Sequence, residues 1–111
     1  QAELAEMESL ALHGVDVCEA LRRAVTARAD AAPQIRELDA VDAKLLALSA
    51  RNIAGFLIQP LIHGISDEGE RRPDPDEVIT RSTAMYQGIA DSAGLQRSLI
   101  ARAAADLARP R

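Results

Sequence analysis

Apolar residues recur every three or four positions along three stretches of this chain, and no other feature constrains its fold as strongly. In the first stretch, two interleaved series follow a seven-residue interval. The series are Leu4, Ala11, Cys18 and Val25, and Met7, Gly14 and Leu21. Such a repeat lines one face of a helix with small and medium apolar side chains, as in helical bundles and coiled coils. It predicts a first helix over residues 2–31.

The second stretch predicts a helix that starts at residue 33 and ends at either residue 59 or residue 65. Pro33 suits the first turn of a helix, where its missing amide hydrogen is not needed. The apolar positions that follow are Ile35, Leu38, Val41, Leu45 and Leu48. Pro60 removes a backbone donor, so we expect the helix to kink or end there.

The third stretch predicts a helix over residues 75–108. Asp74 can accept hydrogen bonds from the free amides of the first turn, and Pro75 suits the first helical position. The seven-residue series of this helix is Ile79, Tyr86, Ala93, Ile100 and Leu107. Between the second and third helices, residues 66–74 are polar, charged and rich in turn-forming residues, which predicts a charged loop.

These stretches predict a single all-α domain over residues 1–111, folded as an antiparallel three-helix bundle. The composition agrees, because 48% of the residues are hydrophobic and only 2% are aromatic. Apolar surface that is poor in aromatic residues suits close helix packing better than sheets. The short connection between the first two helices favours antiparallel neighbours. A short fourth segment after Pro60 or Gly94 remains open.

Residues 53–65 are apolar on all sides, unlike the rest of the chain. A helix of this kind must be covered, either by its own domain or by a partner. Three helices of about 30 residues, each about 45 Å long, also form a thin bundle that covers its core incompletely. We therefore expect a homodimer, or docking to a partner protein. The expected interface residues are Phe56, Leu57, Ile58, Leu61, Ile62 and Ile65.

A pocket for a small molecule near the Pro60 kink is the alternative. His63, Tyr86 and Met85 would line it, and the phenol of Tyr86 would be its polar group. In that case the chain would be a ligand sensor or a small enzyme. Simple packing of Tyr86 in the core is the competing interpretation of this residue.

The charge and the apolar pattern argue against several classes of partner. A formal net charge of −4 disfavours nucleic acid and anionic membranes. The apolar run of residues 53–65 is too short to span a bilayer and includes Gln59 and His63. His13 and His63 each have a single carboxylate nearby in sequence, so we expect no metal site, no cofactor and no catalytic residue.

The cysteine and arginine content suggests a bacterial protein of the cytoplasm. Cys18 is the only cysteine and cannot form an internal disulfide, which fits a reducing compartment. All basic residues except Lys44 are arginine, as a GC-rich coding sequence would give. The expected function is a non-enzymatic interaction or regulatory module, with enzymatic activity disfavoured.

Overall fold

A computed structural model of the chain describes residues 2–48 and 74–110. These ranges contain three helices, α1 (Ala2–Thr26), α2 (Ala32–Leu48) and α3 (Pro75–Ala108), and no strand. The prediction of an all-α fold is therefore confirmed for this part of the chain. The apolar run of residues 53–65, any segment directly after Pro60, and the charged loop before Asp74 lie outside the described residues.

Helix α1 ends at Thr26 and does not reach residue 31 as the sequence suggests. Arg28 adopts a left-handed conformation with φ of 54°. Its amide donates to the Val25 carbonyl at 3.1 Å, and the Ala29 amide donates to the Ala24 carbonyl at 2.9 Å. These two bonds form a Schellman motif, which satisfies the last carbonyls of a helix and turns the chain. Apolar spacing does not predict this motif, because it depends on backbone conformation.

Helix α2 begins one residue before the predicted start at residue 33. The Asp30 carboxylate accepts a hydrogen bond from the Ala32 amide at 3.0 Å. Pro33 lies in the first turn of this helix, as predicted. The proline is tolerated there because a residue in the first turn needs no amide hydrogen.

Helix α3 begins at the predicted residue, and a single cap fixes its start. Asp74 has an extended backbone, and its carboxylate accepts from the Asp76 amide at 3.1 Å. Pro75 occupies the first turn. The helix then continues without a break to Ala108. A fourth segment after Gly94 is therefore wrong, because one glycine inside a long helix costs only about 1 kcal/mol.

Helix α1 is the element against which both other helices pack. All three helices contribute to the core, and its largest fully buried side chains include Leu21 of α1, Leu38 of α2 and Tyr86 of α3. The buried apolar residues are Ala11, Val17, Cys18, Leu21, Leu38, Val41, Leu45, Val78, Ile79, Tyr86, Ala90 and Ala93. Most of the predicted helix faces are therefore confirmed as the core.

Two contacts show the relative direction of α1 and α3: the beginning of α1 meets the later part of α3, and the end of α1 meets the beginning of α3. Glu8 lies 2.7 Å from Arg97, whereas Arg22 donates to Thr80 at 2.9 Å. The antiparallel arrangement of all three helices stays a prediction.

The last part of α3 faces solvent. Ala93 is the last buried residue of the helix, and residues 95–108 are all exposed. Arg97 in this part still reaches Glu8 of α1, at 2.7 Å. We name residues 95–108 the uncovered arm of α3.

Candidate functional site

A carboxylate and a phenol meet inside the core, between α2 and α3. Asp42 is 2% exposed and Tyr86 is fully buried. The Tyr86 hydroxyl donates a hydrogen bond to Oδ1 of Asp42. Oδ2 of Asp42 has no hydrogen-bond partner among the described residues. A buried carboxylate with one oxygen unsatisfied is unfavourable when it carries a charge.

The surroundings of Asp42 favour its neutral form. Burial raises the pKa of this carboxyl from 3.8 to about 6, and the nearby Asp39 contributes to the rise. The hydrogen bond from Tyr86 lowers the pKa part of the way back. Burial, followed by the bond to Asp42, raises the pKa of the Tyr86 hydroxyl above its usual range. The pair can therefore gain or lose one proton near pH 6, at Asp42.

Cys18 of α1 adds a third ionisable group to this region. Burial raises the pKa of its thiol from 9.0 to about 11, and the charge of Asp42 adds to the rise. A hydrogen bond with Thr83 acts in the opposite direction. The raised pKa and the burial make Cys18 a packing residue, in agreement with its position in the apolar series of α1.

Gly14 makes room for the ring of Tyr86. A Cβ atom at residue 14 would lie 2.8 Å from Cδ1 and 2.9 Å from Cγ of that ring. Real contacts of a Cβ atom are longer, so any larger residue would displace the ring or α1. The glycine therefore lets the ring approach α1 closely while its hydroxyl reaches Asp42.

The residues proposed for a pocket do not share one environment. Tyr86 is buried, whereas Met85 is 39% exposed. His63 and all six predicted interface residues, Phe56 to Ile65, lie outside the described residues. The pocket near Pro60 therefore stays a prediction. The other histidine, His13, lies at the α1–α2 boundary with its Nε2 2.9 Å from Oε1 of Glu37.

A second candidate site is the uncovered arm of α3. Leu95 is 62% exposed, Leu99 54% and Leu107 88%, and Ile100 is also exposed. Ile100 and Leu107 belong to the seven-residue series that predicted one continuous buried stripe. That part of the prediction is wrong, because Ile100 is 39% exposed and Leu107 is 88% exposed. The spacing of apolar residues is the same before and after Ala93, so it carries no signal that would identify the arm.

Metal binding, membrane crossing and similarity to known proteins give no further site. No cluster of three potential metal ligands occurs in residues 2–48 and 74–110. Within the same ranges, none of the helices has the length and apolarity to cross a bilayer. Comparison with protein-family models, curated proteins and solved structures gives no match for this chain. The proposed function therefore rests on the described residues of this chain alone.

Proposed function

We propose that this chain is a non-enzymatic helical interaction module that works as a homodimer through the uncovered arm of α3. Leu95 and Leu99 of that arm are 62% and 54% exposed. Full burial of a leucine side chain is worth about 1.5–3 kcal/mol. A second helix that packs against the arm would gain part of this free energy. The exposure of these leucine side chains is the observation on which the proposal rests.

We infer that each subunit is an antiparallel three-helix bundle. The order of contacts between α1 and α3 supports this arrangement, since Glu8 meets Arg97 and Arg22 meets Thr80. The short connection from Thr26 to Ala32 supports it for α1 and α2. The bundle would supply a rigid base, and the arm would supply the binding surface.

A second copy of the chain is the partner that we favour, because the arm carries charges of both signs. Asp91 and Asp106 lie on α3 together with Arg102, and Arg109 directly follows the last residue of the helix. A partner with a strong charge of one sign would meet repulsion at part of this surface. A second copy presents the same mixture and can place opposite charges together.

Sedimentation equilibrium of the full chain tests the proposal. We expect the apparent mass to rise from one subunit to two between low and high micromolar concentrations. Leu99→Glu should shift this transition to higher concentration, because it places a charge in the interface. Leu12→Glu is the matched control, since Leu12 is an exposed leucine of α1. A wild-type chain that stays monomeric throughout would contradict the homodimer.

A further inference from the structure

We propose that two copies of the chain pair their α3 helices in antiparallel orientation, with Asp91 of each copy facing Arg102 of the other. This inference rests on the proposed homodimer and specifies its register. Four residues of α3 carry it: Asp91, Leu95, Leu99 and Arg102. Successive members are separated by four, four and three positions, which places all four on one face of the helix.

All four side chains of this face are exposed. They lie on a different side of α3 from Tyr86 and Ala93, which are buried in the core. Arg97, at the centre of the segment, instead pairs with Glu8 of α1 at 2.7 Å. The face is therefore free to meet a second helix without disturbing the core or that ion pair.

The order of residues on the face is complementary to itself. Read forwards, it is acidic, leucine, leucine, basic; a second copy running the other way presents basic, leucine, leucine, acidic. A two-fold axis near residue 97 then places Leu95 against Leu99 of the other copy. The same axis creates two ion pairs between Asp91 and Arg102, one at each end. A parallel pairing would instead place like charges together, so the charges select the antiparallel orientation.

Neither charge of this face forms a salt bridge with another described residue. Asp91 accepts only a hydrogen bond from the Gln87 side-chain amide, at 3.0 Å. Neither Asp91 nor Arg102 takes part in any ion pair in residues 2–48 and 74–110. Both side chains can therefore engage a second copy without giving up an ionic partner in these ranges.

Gly88 lies on the same side of α3, seven residues before Leu95, and gives a second helix room to approach. A Cβ atom at residue 88 would have no neighbour within 4 Å. Small residues at a contact allow two helix backbones to come close together. In the proposed register, Gly88 faces Asp106 of the other copy.

Charge reversal tests the register. Asp91→Arg gives a face with two arginines, and Arg102→Asp gives a face with two aspartates. Two copies of the same variant should therefore repel each other. We expect the dissociation constant of each homodimer to rise by about tenfold or more. An equimolar mixture of the two variants should form heterodimers about as tightly as the wild type associates, because every pair is again opposite in charge.

Two matched controls accompany this experiment. Arg36→Asp places the same charge change on an exposed position of α2 and should leave the dissociation constant unchanged. Leu107→Glu should leave it within about threefold of the wild type, because Leu107 is more exposed than Leu99 but lies off the proposed face. Circular dichroism of each variant verifies that the helices are intact.

The outcomes separate the register from the proposed function. A wild type that dimerises while the mixed variants do not recover would overturn the register and leave the homodimer standing. Single reversals that associate like the wild type would also overturn the register. A monomeric wild type would overturn both. Recovery of dimers in the mixture, together with loss in each single variant, would confirm the register.

Discussion

The Tyr86 hydroxyl donates a hydrogen bond to the Asp42 carboxylate and so joins α3 to α2 inside the core. Both side chains are almost wholly excluded from solvent. The bond satisfies one oxygen of Asp42 and leaves the other without a partner among the described residues. The stability of the fold is therefore coupled to the protonation of the Asp42 carboxyl group.

Asp42→Asn should remove a pH dependence of stability between about pH 4 and pH 6. The pKa of Asp42 is 3.8 when unperturbed and about 6 in the folded chain. Between these values the folded state holds a proton that the unfolded state has released, so stability falls as the pH rises. The loss is about 3 kcal/mol for a difference of about two pKa units. Urea unfolding of both proteins at a series of pH values measures it.

The control for this prediction is Asp39→Asn, one turn away on the exposed side of α2. That variant should keep most of the pH dependence, because Asp39 affects the pKa of Asp42 less than burial does. The informative quantity is the difference in unfolding free energy between each variant and the wild type at the same pH. Parallel profiles for the wild type and Asp42→Asn would show that Asp42 is not the responsible group.

Tyr86→Phe should destabilise the chain more at pH 8 than at pH 4. The variant keeps the ring and removes the one hydrogen-bond donor to Asp42 among residues 2–48 and 74–110, so the charged carboxylate has no partner in these ranges at high pH. The expected cost is about 1–3 kcal/mol at pH 8 and less at pH 4, where the carboxyl is neutral. The pKa of Asp42 should also rise further, which carbon-13 NMR of its carboxyl group can detect. Equal destabilisation at both values of pH would contradict the coupling.

The sequence predicted the position of Tyr86 and Gly14 on their helices, but not their relationship. Both belong to seven-residue apolar series, and these series identified the buried faces of α1 and α3. The role of Asp42 was not predictable, because spacing shows which positions face inward and not which polar residue the core tolerates. That tolerance depends on a donor 44 residues away in the chain. Contacts over such separations are set by tertiary packing.

Gly14→Ala and Gly88→Ala should have opposite effects on stability. Alanine favours a helix interior over glycine by about 1 kcal/mol. At residue 88 the added methyl group has no neighbour within 4 Å in the single chain, so the variant should gain about that amount at concentrations where the chain is monomeric. At residue 14 it would lie 2.8 Å from the Tyr86 ring, and we expect a net loss of about 1–3 kcal/mol from overpacking. Thermal unfolding of both variants measures the contrast. A gain at residue 14 would mean that the ring moves without cost.

Arg28→Gly should stabilise the chain by about 1 kcal/mol. Arg28 holds a positive φ of 54° at the end of α1, a conformation that costs a residue with a Cβ atom about 1–2 kcal/mol. Glycine adopts it freely, although it also gains freedom in the unfolded chain. Arg23→Gly, in the last turn of the same helix, is the control and should destabilise the chain. Denaturant midpoints compare the two variants, and a loss for Arg28→Gly would show that its side chain matters to the turn.

The uncovered arm shows where apolar spacing alone misleads. Ile79 and Leu107 occupy equivalent positions of one series, yet Ile79 is 1% exposed and Leu107 is 88% exposed. Spacing identifies a face of a helix, whereas burial requires a neighbour of sufficient length. The end of α1 lies beside the start of α3, where Arg22 donates to Thr80. The seven-residue series runs through both parts of α3 unchanged, so spacing alone could not distinguish the buried part from the exposed one.

Cys18 should react with iodoacetamide far more slowly than an exposed cysteine on the same helix. Only the thiolate reacts, and burial raises the pKa of this thiol to about 11. At pH 8 the thiolate fraction is then on the order of 100-fold lower than for an ordinary cysteine, and exclusion of the reagent slows the reaction further. The matched control combines Cys18→Ala with Leu12→Cys, since Leu12 is 43% exposed. Mass spectrometry follows both reactions, and urea should bring the two rates together. Similar rates without urea would show that α1 opens too often for Cys18 to be a core residue.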